Sequence, residues 1–436
     1  MKALLAAVVL ASALAQPLAA QAPDTPADAG GASGGASPSP RQDEAEPTPP
    51  VRFLFPNRPS LRFGSVLRVD FRLKLQGDFR SYTPSATSDD DGWELNRRRI
   101  GVQGNVFGHV QYEVERELRR LNPWRDAFLN VSYFDDYQVQ FGKFKMPFSQ
   151  EELTGPTDLD FIHRATAVDA LSPARDVGIT LHGRFNQRAI GYDVGVFRSG
   201  GENSRFDVTQ GEQRTAVARL AVRPLRLTSA PRTTREMEIA VAVTAADVPE
   251  GLNSLRGRTV SRDVFFQPIY VNGRRLRVGV DADWRPGPFS VKAEFIRVSD
   301  ERRHQGVLEE HLPPLVAHGW YVSGTWALTG ESKFNNIGPR AALFRGGAGA
   351  LELAARYERL GFGSFAAGEP DEIHPRAANL LETSNRGWTF GLNWYVNHWT
   401  KIQMNVIRES LLDGSGRDLV ARAASWTRVW RLQFVM

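Results

Sequence analysis

Leu67-Arg-Val-Asp-Phe-Arg-Leu-Lys-Leu-Gln-Gly-Asp-Phe79 alternates without a break. Leu67, Val69, Phe71, Leu73, Leu75 and Phe79 fall on one side, with Gly77 the gap among them. Arg68, Asp70, Arg72, Lys74, Gln76 and Asp78 fall on the other. A period of two belongs to a β-strand, whose successive side chains point to opposite faces. A soluble strand commonly runs about five or six residues; this one runs 13 with a mostly ionic face. The apolar face needs a continuous oily neighbour and the ionic face needs water along its length. A strand of a transmembrane β-barrel meets both demands, with lipid outside and a wet lumen inside. Turning the ionic face to lipid would cost roughly 2–4 kcal/mol for each Arg or Lys near the midplane. Arg68, Arg72 and Lys74 are therefore expected in the lumen.

The same alternation recurs to the end of the chain. Val110, Tyr112 and Val114 alternate with Gln111, Glu113 and Glu115, and Leu276, Val278 and Val280 with Arg275, Arg277 and Gly279. Trp388, Phe390, Leu392 and Trp394 form one row against Thr389, Gly391 and Asn393. Sixteen strands are predicted, near 65–80, 95–108, 109–120, 124–134, 136–145, 175–186, 189–199, 213–224, 235–247, 274–285, 287–299, 317–329, 349–361, 386–397, 399–410 and 424–436. The stretch 257–271 is read as loop. Tight connectors such as 107–109, 187–188, 285–288 and 396–398 alternate with long ones, among them 145–175, 248–273 and 330–348. Short periplasmic turns and long outer loops give that alternation, and an even strand count puts both termini in the periplasm. The fold class is thus all-β, a 16-stranded antiparallel transmembrane β-barrel. Trp284, Trp320, Trp326, Trp388, Trp394, Trp426 and Trp430 are expected near strand ends as interfacial girdles.

The opening MKALLAAVVLASALAQPLAAQA reads as a signal peptide over residues 1–22: Lys2, a short apolar run, then Ala20-Gln21-Ala22 as a small-x-small cleavage site, with cleavage after Ala20 the alternative. The apolar run is too short to span a bilayer. Residues 23–60 begin with Pro, Ala, Gly, Ser and acidic residues that bury too little apolar surface to fold, and read as a disordered periplasmic tether. Residues 61–436 remain for the barrel, which grows by adding strands and not by enlarging a core. The absence of cysteine excludes a disulfide framework and thiolate chemistry. The net charge is +5, and only seven of the 54 basic residues are Lys. The charges alternate along strands instead of clustering in a nucleic-acid motif, so no nucleic-acid partner is expected.

The segment Phe141-Gly-Lys-Phe-Lys-Met-Pro-Phe-Ser-Gln-Glu-Glu-Leu-Thr154, followed by Asp160-Phe-Ile-His-Arg164 and Arg175-Asp-Val-Gly178, resembles the phosphate-selective porin O/P family. So do Arg97-Arg-Arg-Ile-Gly-Val-Gln-Gly104, the stretch Gly347–Tyr357 and the stretch Gly387–Asn397. The resemblance implies an outer-membrane barrel, usually a homotrimer, whose third outer loop folds inward to narrow the pore. On that reading 145–175 is the constriction loop, and Lys145, Arg164 and Arg175 project into the passage. Phosphate-selecting members place an Arg pair before the second strand; here Asn96-Arg97 takes that place, so Arg97 alone matches, with Arg98 and Arg99 beyond it.

The candidate anion-binding residues are Arg97, Arg99, Lys145, Arg164, Arg175, Arg68, Arg72 and Lys74. Guanidinium and ammonium groups lower the barrier for small anionic solutes, and Arg forks exchange bonds with successive phosphate or carboxylate oxygens. Acidic residues such as Asp70, Asp78, Glu113, Glu115, Glu236 and Glu238 are expected to pair with Arg across strands. The alternatives are a general non-selective porin, a structural barrel surrounded by outer-membrane lipid, and a barrel-embedded hydrolase. The eight His are scattered without HExxH or metal spacing, which argues against the last and against a cofactor.

Overall fold

The computed structural model describes residues 51–55, 58–83, 92–118, 124–201, 214–231, 234–334, 337–364, 374–413, 416–418 and 424–436. The expected signal peptide and the stretch 23–50 lie outside them. The elements in chain order are β1 Val51–Leu54, β2 Ser60–Phe63, β3 Leu67–Thr83, β4 Gly92–Val106, β5 Val110–Glu117, β6 Trp124–Val131 and β7 Gln138–Lys145. Two short helices follow, α1 Gln150–Leu153 and α2 Thr166–Leu171. Then come β8 Arg175–Phe185, β9 Ile190–Phe197, β10 Thr215–Val222, β11 Glu238–Leu252, β12 Gly257–Arg258, β13 Val264–Phe266, β14 Tyr270–Trp284 and β15 Phe289–Arg302. The last are β16 Leu312–Ala327, β17 Ala350–Gly363, β18 Thr383–Tyr395, β19 Thr400–Leu412 and β20 Ser425–Val435.

Sixteen of these strands, β3 to β11 and β14 to β20, pair antiparallel with their neighbours in sequence, and β20 pairs back onto β3 to close the barrel. Each sequence-predicted strand overlaps one of them. Strands β12 and β13 pair only with each other, inside the stretch read as loop. Strand β20 is shorter than β3, and its last bonds join Met436 and Leu73. The β1–β2 hairpin covers the edge of β3 left over: Ser60 stands opposite Asp70 and Phe63 opposite Leu67. The tether expected over 23–60 therefore gives way to ordered strand at Val51, because a bare β3 edge offers unpaired backbone groups.

The alternation sorts the side chains as the sequence requires. Phe390 is 54 % exposed and Leu432 50 %, whereas Arg277, Arg356 and Arg431 on the opposite face are about 1 % exposed or less. Asp78, Glu115 and Glu238 pair with Arg431, Arg99 and Arg219 of neighbouring strands and Glu113 with Arg72 two strands away, whereas Asp70 pairs with Arg68 of its own strand and Glu236 with Arg226 of the β10–β11 connector. Trp284, Trp326, Trp394 and Trp426 stand at strand ends, but Trp320, Trp388 and Trp430 are mid-strand. Two of those mid-strand rings sandwich Tyr357, at 5.4 Å and 4.5 Å, so cross-strand ring packing sets their place.

The long connectors gather at one end, here the loop end, with two exceptions, residues 223–237 after β10 and 328–349 after β16. Residues 328–349 follow β16 at the turn end, where Lys333 N–H bonds the Gly287 carbonyl. Its Ile337 packs on Ala327 and Ala350, and Glu331 and Lys333 are buried.

Candidate functional site

The connector between β7 and β8, residues 146–174, is bonded to inner-face side chains around the ring. Gln76 of β3 bonds the Pro156 carbonyl, and Arg219 of β10 the Phe148 carbonyl. Arg277 of β14 holds the Leu171 carbonyl, Arg356 of β17 that of His163 and Arg431 of β20 that of Ile162. Asn405 of β19 accepts from Ile162 N–H at 2.7 Å and Glu358 of β17 from Thr166 N–H at 2.9 Å. Strand glycines make room where the connector comes close. A Cβ on Gly319 would lie 2.6 Å from the Ala167 Cβ, and one on Gly279 3.0 Å from the Phe148 ring.

The helix α2 also brings apolar side chains. Val168, Leu171, Phe148 and Ala165 join Leu255, Phe266 and Ile269 and the inner residues Ile296, Val298, Leu315, Ala317, Leu360 and Phe362 in one core. The inner face of β14 to β17 is therefore dry toward the loop end, which the reading of an ionic face wet throughout did not anticipate. Long alternating strands do not reveal which inner residues an incoming helix will cover.

Three polar cavities surround this connector. The largest, about 560 Å³, is lined by Arg72, Lys74, Lys145, Arg175, Arg184, Arg219 and Arg223, against Glu113, Asp126, Asp193 and Glu238. The second, about 400 Å³, shares Arg72, Lys74 and Thr154 with the first and adds Arg58, Arg285, Lys292, Lys333 and Lys401, against Asp158 and Asp160. The third, about 330 Å³, is lined by Arg97, Arg164, Arg256 and Arg258, against Asp169. In each, cations outnumber acids.

The eight residues singled out from the sequence separate into groups. Lys145 and Arg164 converge: Lys145 Nζ donates to the carbonyls of Glu152, Leu153 and Thr154 at 2.6, 3.0 and 2.8 Å. Arg164 donates to the carbonyls of Glu151, Glu152 and Thr154 and pairs with the Glu152 carboxylate at 3.1 Å. Arg72 and Lys74 both engage Glu115, with Glu113 on Arg72. Arg175 grips Asp126 with two parallel bonds of 2.9 Å. Arg97 donates to the Gln76 side-chain oxygen at 2.5 Å. Arg99 lies buried between Glu115 and Glu117 and lines none of the three cavities, and Arg68 pairs with Asp70 beside a separate recess. Sequence reasoning missed Lys401, Lys292 and Lys333. Lys401 and Lys292 sit at inner positions of alternating strands and were legible as such; Lys333 belongs to a connector without periodicity.

Asp160 is the electrostatic hub. Its carboxylate accepts from Lys292 at 2.6 Å and Lys333 at 2.7 Å, and Lys333 also bonds Glu352. Burial pushes the Asp160 pKa up, but the two ammonium groups outweigh it and hold the carboxyl well below the usual range. His163 has the opposite surroundings. Burial, with Arg431 and Arg80 nearby, pushes its pKa down to about 3, so it is neutral at physiological pH.

The family model for phosphate-selective porin O and P matches residues 69–411. Porin O of Pseudomonas aeruginosa is 26 % identical over 153 residues, a match that spans 32 % of this chain and 32 % of that protein. The barrel is similar to OmpT, an outer membrane protein of Vibrio cholerae, with a TM-score of 0.55 and 13 % identity over 86 % of this chain and 99 % of that one. It is also similar to the outer membrane channel DcaP of Acinetobacter baumannii, with a TM-score of 0.53 and 10 % identity over 85 % and 98 % of the two chains. At these identities the structures speak for the fold, which is that of an outer-membrane barrel. A closed sixteen-stranded wall, a wet interior rich in cations and a family match covering most of the chain agree: this outer-membrane protein is a member of the phosphate-selective porin O and P family.

Proposed function

We propose that this porin is a passive channel for small anions, phosphate and other oxyanions among them, and that residues 146–174 are an outer loop folded inward to narrow its pore. The observation that carries the reading is how Arg97, Lys145 and Lys401 are held. Each donates to amide oxygens, of Gln76, of residues 152–154 and of Thr157 and Leu159 respectively. An amide oxygen positions a cation without cancelling its charge, so these three leave a positive field along the passage. Arg72, Arg175 and Arg219, locked to carboxylates, stiffen the wall instead. Several weak shared sites serve conduction better than one tight site, because the ion must also leave. The homotrimer expected from the family belongs to the same reading.

Planar-bilayer recording in a salt gradient tests it. The reversal potential is expected to have the sign of anion preference, and phosphate is expected to reduce chloride current. A cation-selective reversal potential would overturn the reading, and a potential near zero would favour a general, non-selective porin. K145Q and K401Q are each expected to shift the potential toward zero.

A further inference from the structure

On the outward face, away from the lumen, charged residues are distributed unevenly between the two ends. Strands β15 to β20 each carry one basic residue at an outward position toward the loop end: Arg297, His318, Arg359, Arg386, Arg408 and Arg428. Their outward parity is fixed by the register, since Arg359 and Arg386 share a face with the exposed Leu353 and Leu392, and Arg408 and Arg428 with the exposed Ile402 and Leu432. From these residues to the turn end, every outward strand position on the same six strands is apolar, aromatic or glycine, except Thr400 at the first position of β19.

The six residues also lie at one height. Arg297 stands opposite His318, which stands opposite Gly361, two residues above Arg359. Arg359 stands opposite Arg386, which stands opposite Ser410, two residues above Arg408. Arg408 stands opposite Trp426, two residues above Arg428. The row thus falls by three two-residue steps over five strand spacings. With about 3.4 Å per residue and about 4.8 Å per strand, that is a slope near 40°. Barrel strands tilt by about 35–45°, so the row runs level around the wall. Beneath it the apolar band is roughly 20 Å tall, close to a hydrocarbon thickness.

We propose that this arc docks the phosphate groups of a phosphorylated glycolipid in the outer leaflet. Like charges directly opposite on neighbouring strands are unfavourable, yet Arg359 faces Arg386. Among the described residues Asp418 bonds Arg386 and Glu382 lies near His318. Arg359 reaches the Ser384 hydroxyl, Arg428 the Thr83 hydroxyl, and Arg408 lies over the Trp426 ring. Arginine forks match phosphate oxygens and snorkel from a wall whose lower part is in hydrocarbon. At headgroup depth on an outward face, a lipid phosphate is the anion within reach.

The test uses the full-length protein refolded in phosphatidylcholine vesicles containing bisphosphorylated lipid A, with EDTA present so that no divalent ion bridges the phosphates. The wild type is expected to bind lipid A at least about tenfold more tightly than R297Q/R359Q/R408Q/R428Q, since each basic group near an anionic surface contributes appreciably. Conductance is expected to be the same in both, because the four side chains face away from the pore; heat-modifiable gel mobility confirms that the variant is folded. Equal binding by the variant would overturn the proposal, as would equal binding of dephosphorylated lipid A by the wild type, a comparison that needs no variant. A changed oligomer mass with unchanged lipid binding would assign the arc to contacts between copies and overturn it too.

Discussion

Replacing Asp160 with Asn removes the carboxylate on which Lys292 and Lys333 converge, at 2.6 and 2.7 Å. Lys333 keeps Glu352 and the Thr325 hydroxyl, whereas Lys292 loses the carboxylate it pairs with. Removing one partner of a buried ion pair costs about 3–5 kcal/mol. The low end applies, since an Asn oxygen still accepts one bond and the Asp160 carbonyl still receives Asn393. About 3 kcal/mol corresponds to a roughly 150-fold larger population in which the connector leaves the wall. Hydrogen exchange at the Ile162 and Thr166 amides reads this directly, because both bond to wall side chains, Asn405 and Glu358. The pH dependence follows from the depressed Asp160 pKa. Its stabilisation is complete above the unfolded value of about 3.9 and is lost as pH falls through the lower folded value, so acid is expected to loosen wild type toward D160N. Exchange at these amides within about threefold of wild type, the worth of one ordinary hydrogen bond, would refute the assignment of Asp160 as the hub.

G319V pushes an isopropyl group into Ala167 and is expected to displace α2 at a cost of about 1–3 kcal/mol. Single-channel recording checks this, and an unchanged unitary conductance counts against the inward placement of the connector. R99Q leaves Glu115 and Glu117 short of a partner and is expected to lower the urea midpoint without altering the reversal potential; a changed potential would return Arg99 to the pore. His163, neutral with a pKa of about 3 against an unfolded value near 6.5, adds stability above pH 6.5 that is lost as pH falls toward 3. H163Q is therefore expected to flatten the acid limb of the stability curve, and parallel curves for the two proteins would contradict the burial.

The strands were legible because a period of two is written in consecutive residues and is not overridden when lipid lies on one side and charge on the other. The register followed for the same reason: a slip of one residue would carry Arg72 and Lys74 into hydrocarbon. The site was legible only in part. Lys145 and Arg164, 19 positions apart, meet on one turn of backbone, and Arg99, in a separate motif, is buried between two glutamates instead. Lys333 lay in a connector that its length placed at the wrong end of the barrel.

By itself the sequence determined the barrel, its strand number and which face each residue takes, since these depend on neighbours one or two positions away and on the large cost of misplacing a charge. Only the tertiary structure decided how each cation is held. That depends on whether a carboxylate or an amide oxygen arrives from a strand or connector far away in the chain, and local pattern carries no record of such meetings.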